Sequence, residues 1–228
     1  MKYRVYNNTL NPAVWNEDGT INQNVSQTLI QIAKNFYEDT GLKPAIRDIL
    51  LLGSSANYNW TKTSDIDVHV VICFSELAMS EEDAKNYTNS LKAEWNKDHD
   101  IHIKGHNVEL YIQDVAHKTH ALGIYSLLQN KWIVKPNKIS VKLDNALIQQ
   151  KYSDLVLKIE NAIASNNIEL LKATVKDVYD MRQSGLDTAG EFSTENIVFK
   201  ILRNRNYIDR LKDTINKIYD TQHSLKES

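Results

Sequence analysis

Cysteine, glycine, proline and net charge are all scarce in this chain. The single cysteine, Cys73, excludes an internal disulfide and any zinc site built on a pair of cysteines, which fits a reducing compartment. We interpret Cys73 as a buried structural thiol. Seven glycines and three prolines leave no obvious flexible linker. A formal net charge of −2 gives no general attraction for nucleic acid, so we expect no strong binding of duplex DNA.

Long apolar runs are also missing. The longest fall far short of the ~18 residues that a membrane span needs. The opening "MKYRVYNNTL" lacks the apolar core of a secretory signal. We therefore predict a cytoplasmic protein without a membrane partner. A length of 228 residues is enough for one large domain or two small ones, and we favour two.

The hydrophobic pattern changes near residue 140, and the change predicts the domain organisation. Before it, "NVSQTLIQIAKNFYEDTG" has helical spacing and ends at Gly41, a helix stop, and Ser80 in "SEED" predicts the capped start of a second helix. Short apolar strands and a probable hairpin, "DIHIKGHNVELYIQDV", occur between and after these helices. After it, apolar residues recur at spacings of three and four in three helical stretches, the last of which is "NIVFKILRNRNYIDRLKDTINKIY" with Ser193 as its N-cap. The segment "GLDTAGEFSTEN" is interpreted as a long polar connection between helices. We predict an α+β chain: residues 1–140 form a small mixed sheet with flanking helices, and residues 141–228 form an all-helical domain. The segment "LLQNKWIVKPNK" is interpreted as the connection between them.

Two aspartates on one strand are the first candidate for chemistry. In "SDIDVHVV" the alternation of side chains puts Asp65, Asp67 and His69 on one face. Neighbouring carboxylates repel each other, and the usual remedies are a raised pKa, a basic partner or a divalent cation. In "NVELYI", Glu109 adds a third acid on the nearest strand candidate, and three carboxylates suit a hard cation such as Mg²⁺.

A Gly-Ser turn precedes the aspartates and could hold phosphate. Gly53 allows a sharp turn after the strand "AIRDILLLG" and leaves backbone N–H groups unobstructed, while Ser54 and Ser55 add hydroxyl donors. Strand alternation alone would favour a solvent-facing edge for Asp65 and Asp67. The Gly-Ser turn and Glu109 reverse that preference.

The order of these features resembles the nucleotidyltransferase superfamily, which includes DNA polymerase beta, nucleotide-adding RNA polymerases and antibiotic-modifying enzymes. An apolar strand, Gly-Ser, about ten residues, Asp-x-Asp on a strand and a later Glu between apolar residues make up the match, over roughly residues 46–112. The whole chain, including "AGEFSTENIVFKILRN", also looks similar to small predicted nucleotidyltransferases carried by large bacterial viruses.

The resemblance implies a role for each of these residues. Gly53 and Ser54 would hold the triphosphate of an NTP. Asp65 and Asp67 would bind two ions of Mg²⁺, or of Mn²⁺ in its place, and Glu109 would bind the catalytic ion and help to deprotonate the acceptor hydroxyl. The implied fold is a nucleotidyltransferase sheet domain, and the helical remainder is consistent with an accessory helical domain.

Several residues near these motifs keep two interpretations. Tyr58 and Trp60 belong either to a loop packed on the core or to a base-stacking surface. His69 either contacts substrate or accepts a hydrogen bond from a neighbour. Lys200 and Arg203 share one face of a basic C-terminal helix and are candidates for contact with triphosphate or a nucleic-acid backbone, although most such runs are solvated. His99, His102 and His106 are interpreted as solvated histidines on a polar strand face.

The leading hypothesis is therefore a metal-dependent nucleotidyltransferase. It would move a nucleoside monophosphate from an NTP to an RNA end, a small molecule or a protein and release pyrophosphate. The alternatives are a catalytically silent module that binds or sequesters nucleotides, and a partner protein of the toxin or antitoxin type.

Overall fold

The structure, a computed structural model, describes residues 6–117, 119, 121–138 and 142–224. Contacts divide the chain between residues 139 and 140 into two compact units. The first, called the sheet unit below, contains a sheet and two long helices, and every regular element described in the second, the helical unit, is a helix. The chain is thus α+β, with a mixed sheet followed by helices.

The sheet unit carries six strands and two α-helices in its described part. In chain order they are α1 (Gln23–Asp39), β1 (Asp48–Leu52), β2 (Ile66–Ile72), α2 (Glu81–Asp98), β3 (His102–Ile103), β4 (His106–Asp114), β5 (Ile124–Ser126) and β6 (Lys131–Val134). Gly41, with a φ of +66°, follows α1 where the sequence predicts a stop. Ser80 caps α2 by accepting a hydrogen bond from the Asp83 N–H, which confirms the predicted start.

The strands lie in the order β3-β4-β2-β1-β5-β6. β2 and β4 run parallel and are joined through α2, whereas the other neighbouring strands are antiparallel. The predicted hairpin is confirmed as β3 and β4, which turn at Lys104 and Gly105. The sheet is therefore mixed, with its one parallel pair at the acidic strand.

The two faces of the sheet have different partners. One face is the main core, where strand residues pack with apolar residues of α1 and α2: Ile49, Leu51, Val68, Val70, Leu110, Leu29, Phe36 and Ala84. The opposite face carries a small apolar cluster of Leu50, Leu52, Val71 and Ile124. Because side chains alternate, Asp67 and Glu109 fall on this second face.

The helical unit contains four α-helices in its described part: α3 (Asn145–Ser165), α4 (Ile168–Ala189), α5 (Thr194–Asn204) and α6 (Tyr207–His223). They enclose a separate core that includes Ile159, Leu171, Leu202 and Leu211. Ser193 caps α5, as predicted, by accepting a hydrogen bond from the Asn196 N–H. None of the helices described in either unit is long and apolar enough to cross a membrane.

Four expectations about local structure are wrong. "LLQNKWIVKPNK" is not simply a connection, because β6 lies inside it and pairs with β5 in the sheet. The last helical stretch is two helices, separated at Asn206, which has a φ of +63°. The polar segment before Ser193 is mostly helix, because α4 continues to Ala189. Cys73 is half-buried, and its Sγ lies 3.0 Å from Ser75 Oγ.

Candidate functional site

Two carboxylates lie side by side on the second face of the sheet. Asp67 of β2 is paired with Glu109 of β4 on one side and with Leu52 of β1 on the other. Neighbouring strands are ~4.8 Å apart, so this pairing forms one row across three strands. Asp65 immediately precedes β2, and all three acidic residues are half-buried. We call Asp65, Asp67 and Glu109 the carboxylate row.

Gly53 touches the carboxylate row at the end of β1. Its φ of +67° and ψ of −157° belong to a region that residues with a Cβ rarely enter. A Cβ on Gly53 would also overlap the Asp67 carboxylate, at 2.9 Å from its Cγ. Glycine is therefore required here both by the backbone and by the neighbouring carboxylate. Ser54, which is half-buried, begins the short 3₁₀ turn that follows.

Ser55 has a structural position that differs from the prediction. It is fully buried, its Oγ donates to the Asp65 carbonyl at 2.9 Å, and it accepts a hydrogen bond from Asn11 Nδ2 at 3.2 Å. The hydroxyl therefore ties the turn to the start of the acidic strand. A fully buried hydroxyl with partners inside the protein is not available to a phosphate, so Gly53 and Ser54 remain the candidates.

Aromatic side chains form the next row along the same strands. The rings of His69 and Tyr111 stack with centroids 4.5 Å apart, and Tyr111 Oη donates to Glu109 Oε2 at 2.6 Å. Burial, with the negative charge of Asp67 adding to it, raises the pKa of the Tyr111 hydroxyl, so it remains a donor. Tyr111 therefore fixes one oxygen of Glu109.

His69 is neutral and is held by an amide. Its Nδ1 lies 2.8 Å from Gln113 Oε1, and because Gln113 Nε2 donates to Thr119 Oγ1 at 3.0 Å, the Nδ1 atom carries the proton. Burial lowers the pKa of His69 from 6.5 to about 4, and the hydrogen bond that His69 donates to Gln113 opposes that shift. Of the two interpretations of His69, the structure shows a hydrogen bond to a neighbour, in which His69 is the donor.

Lys92 is a site residue that the sequence does not reveal. It extends from α2 over the edge of the sheet, and its Nζ lies 3.8 Å from the centroid of the Tyr111 ring. Burial lowers the pKa of the Lys92 ammonium, and the negative charges of Glu109 and Asp67 oppose that shift. A basic partner is thus one of the means by which the carboxylate row is stabilised. No local pattern marks Lys92, because its position depends on how α2 lies along β4.

The donor types of the carboxylate row fit a divalent cation. Carboxylate oxygens are ligands that Mg²⁺ accepts, and Gly53 lets the chain pass directly against Asp67. Among the residues that the structure describes, no three Asp, Glu, His or Cys side chains lie close enough together to hold a metal ion without moving. A bound ion would therefore have to draw Asp65, Asp67 and Glu109 closer together.

The other predicted residues belong to different elements of the chain. Tyr58 and Trp60 belong to a loop fastened to the N-terminal segment, where Asn7 Nδ2 donates to both of their carbonyls and Trp60 Nε1 donates to the Thr9 carbonyl. These contacts favour the packed loop. Lys200 and Arg203 are half-buried on α5 in the helical unit, and their part in phosphate binding stays a prediction.

The three histidines that the sequence predicts to be solvated have separate surroundings. His99 is exposed at the end of α2 and stacks on Trp95 at 3.7 Å between centroids. His102 is exposed as expected. His106 is not solvated: it is buried, and its Nδ1 bonds to the Ser64 carbonyl at 2.6 Å.

The chain matches no protein-family model, and no curated protein matches it. Its function is therefore inferred from the residues and geometry of the site.

Proposed function

We propose that this chain is a metal-dependent nucleotidyltransferase that moves a nucleoside monophosphate from an NTP to an acceptor and releases pyrophosphate. The observation that supports it best is the single row formed by the Gly53 turn, Asp67 and Glu109 across three neighbouring strands. A phosphate-binding turn directly beside paired carboxylates is what metal-assisted phosphoryl transfer requires. The fold implied by the resemblance, a nucleotidyltransferase sheet domain with an accessory helical domain, is part of the proposal.

The residues in and around the carboxylate row would each have a separate role in the reaction. Gly53 and Ser54 would hold the outer phosphates through the backbone and hydroxyl of the turn. Glu109 would accept the proton of the acceptor hydroxyl, and the hydrogen bond from Tyr111 to its Oε2 would orient it. Lys92 would limit the repulsion between Asp67 and Glu109 before substrate binds.

Asp65, Asp67 and Glu109 would hold Mg²⁺, or Mn²⁺ in its place. When bound, such ions neutralise charge on the transferred phosphoryl group and make the acceptor hydroxyl easier to deprotonate. The half-buried position of the three carboxylates would keep their charges from being fully screened by water.

The variant Asp67→Asn tests the proposal. It keeps the size of the side chain and removes one negative charge from the row, so turnover should fall by at least about 100-fold while the fold is retained. Pyrophosphate release would be followed with each NTP, Mg²⁺ or Mn²⁺, and pools of acceptors. Circular dichroism and thermal unfolding would show whether the variant is folded.

Asp39→Asn is the matched control. Asp39 is exposed at the end of α1, which packs on the face of the sheet opposite the row, so this variant should release pyrophosphate like the original chain. If Asp67→Asn released pyrophosphate as fast as Asp39→Asn and the original chain, the role of the carboxylate row would be refuted. If calorimetry showed NTP binding but no acceptor produced pyrophosphate, the chain would instead be a sequestering module.

A further inference from the structure

A cavity of about 550 Å³ lies next to the carboxylate row. It opens between α2 and the C-terminal half of β4, and its lining includes His69, Tyr111 and Gln113 from the sheet and Thr88 and Asn89 from α2. Sites for small molecules commonly occupy ~300–1,000 Å³. The cavity is thus large enough for a compact organic molecule.

Tyr111 links the cavity to Glu109. It belongs to the lining, and its hydroxyl donates to Glu109 Oε2 at 2.6 Å. Residues two apart on a strand are separated by ~6.6 Å. A molecule in contact with Tyr111 therefore lies about one side-chain length from Glu109 in the carboxylate row. Of the three residues in the carboxylate row, Glu109 is the base nearest to a hydroxyl group bound in this cavity.

The cavity also lies on the side of the row from which an acceptor must approach. Across the sheet, the order is the Gly53 turn at β1, Asp67 on β2, Glu109 on β4, and then the cavity beside α2. In phosphoryl transfer the attacking and leaving oxygens lie roughly in line through the phosphorus. If the pyrophosphate leaves toward the Gly53 turn, the attacking oxygen comes from the α2 side.

The lining that the structure describes has no excess of positive charge. Besides the histidines His69 and His117, its charged residues are Lys85, Glu81 and Asp114, which gives one positive charge against two negative. Nucleic-acid sites need an excess of Lys and Arg to neutralise phosphates. Asn89, Gln113 and Thr119 contribute neutral hydrogen-bonding groups, and Phe74 contributes apolar surface.

We propose that this cavity is the acceptor site, and that the acceptor is a small neutral or positively charged molecule bearing a hydroxyl group. The inference rests on the proposed function and adds to it the class of acceptor. In the reaction, the acceptor oxygen forms a bond to the α-phosphorus. The bond from that phosphorus to the bridging oxygen breaks, pyrophosphate leaves with the electron pair, and the hydroxyl proton passes to Glu109.

The first experiment identifies the pool that accepts the nucleotide. The full chain is incubated with each α-labelled NTP, Mg²⁺ or Mn²⁺, and one of three pools: total RNA, total protein, or the small-molecule fraction of a cell extract. The last is divided by ion exchange into anionic, neutral and cationic parts. Label in the neutral or cationic part is expected. Label that appears only in RNA, protein, the anionic part or free nucleoside monophosphate overturns the acceptor assignment and leaves the proposed function standing.

A pair of variants then tests the cavity itself. Asn89→Trp fills the cavity from the exposed surface of α2, and Asn86→Trp places the same side chain on the same helix outside the lining. Because a misplaced acceptor loses its in-line geometry, Asn89→Trp should lower label transfer by up to about 100-fold. Calorimetry should show unchanged NTP affinity in both variants.

The remaining outcomes separate the two proposals. Equal transfer by Asn89→Trp and Asn86→Trp would show that the cavity does not hold the acceptor. Weaker NTP binding by Asn89→Trp alone would assign the cavity to the nucleoside and likewise overturn the inference. An absence of pyrophosphate release by the unchanged chain with every pool would refute the proposed function itself.

Discussion

The Asp67 carboxylate occupies the space that any side chain at residue 53 would need. The overlap is with the end of a side chain and not with backbone, so a Cβ there would push the carboxylate aside more readily than it would break the strand. The effects of a substitution at residue 53 on activity and on stability can therefore be measured separately. The position of the Asp67 carboxylate depends on the absence of a side chain at Gly53.

Gly53→Ala should remove activity and cost some stability. A residue with a Cβ in this backbone region loses about 1–3 kcal/mol of stability, and the displaced Asp67 should abolish NTP turnover. Pyrophosphate release and the free energy of unfolding in urea would measure the two effects.

Gly190→Ala separates backbone strain from displacement of the carboxylate. Gly190, which follows α4, has nearly the same backbone angles, φ +70° and ψ −157°, and a Cβ there would have nothing within 4 Å. Its replacement should cost stability but leave turnover unchanged. Full turnover by Gly53→Ala would show that the position of Asp67 against the turn has no part in catalysis.

At the scale of elements, α2 completes the hydrogen bonding of β4. Among the described residues, β3 pairs with β4 at His106 and Asn107, and no described strand pairs with the outer edge of β4 further along. At Leu110 the side chain of Asn96 takes that place: its Nδ2 donates to the Leu110 carbonyl at 3.2 Å and its Oδ1 accepts from the Leu110 N–H at 3.1 Å. These two hydrogen bonds fix the position of α2 along β4.

Asn96→Ala should therefore destabilise the sheet unit. It leaves the buried backbone N–H and carbonyl of Leu110 without these partners, at a cost of about 1–3 kcal/mol. Urea unfolding of the full chain would measure the loss. Asn86→Ala, at an exposed position ten residues earlier on α2, is the control and should change stability little. Equal effects of the two variants would mean that the Leu110 contacts contribute nothing.

The helical unit contains a pH-sensitive contact between α3 and α5. Glu195 near the start of α5 pairs with Lys151 of α3, and that hydrogen bond lowers the pKa of Glu195 below its ordinary value of 4.5. Since the folded chain holds this proton less tightly than the unfolded chain, the pair stabilises the fold above pH 4.5. The contribution is lost as the pH falls through the lowered pKa.

Glu195→Gln should flatten the acid side of the stability curve. The free energy of unfolding, measured from about pH 7 down to about pH 3, should fall less steeply than in the original chain because the variant has no carboxylate to protonate. Glu169→Gln is the control. Glu169 is 80% exposed and pairs with Lys172 at 3.5 Å on the surface of α4, so its replacement should change the slope little. An unchanged slope for Glu195→Gln would exclude the pair as a source of the pH dependence.

The elements that the sequence predicts are those with a strong local pattern. α1, α2, β1, β2 and the hairpin each have periodicity, a cap or a turn residue that acts within a few positions. β5 has only three residues, all buried, and three of the four residues of β6 are exposed, so neither shows alternation. The break before α6 falls at Asn206, a residue type that tolerates positive φ without the signal of Gly or Pro.

For the molecule as a whole, the change in hydrophobic period along the sequence predicts the α+β class and the order of sheet and helices. The sequence predicts the candidate site only in part. Alternation puts Asp67 on the face opposite the main core, and the parallel register of β2 and β4 places Glu109 directly beside it. Lys92 could not be predicted, because its place near Tyr111 depends on tertiary packing. The buried position of Ser55 could not be predicted either, since it depends on Asn11, 44 residues away in sequence.

The connection from β2 to β4 through α2 also has a consequence for folding kinetics. Gly53 and Asp67 lie 14 residues apart in sequence, whereas Asp67 and Glu109 are 42 residues apart and meet only when the crossover through α2 closes. Closing a long loop is slow, and here it also brings two like charges together. Lys92 lies on that same crossover, so the charge that offsets the repulsion arrives in the same folding step as the repulsion itself.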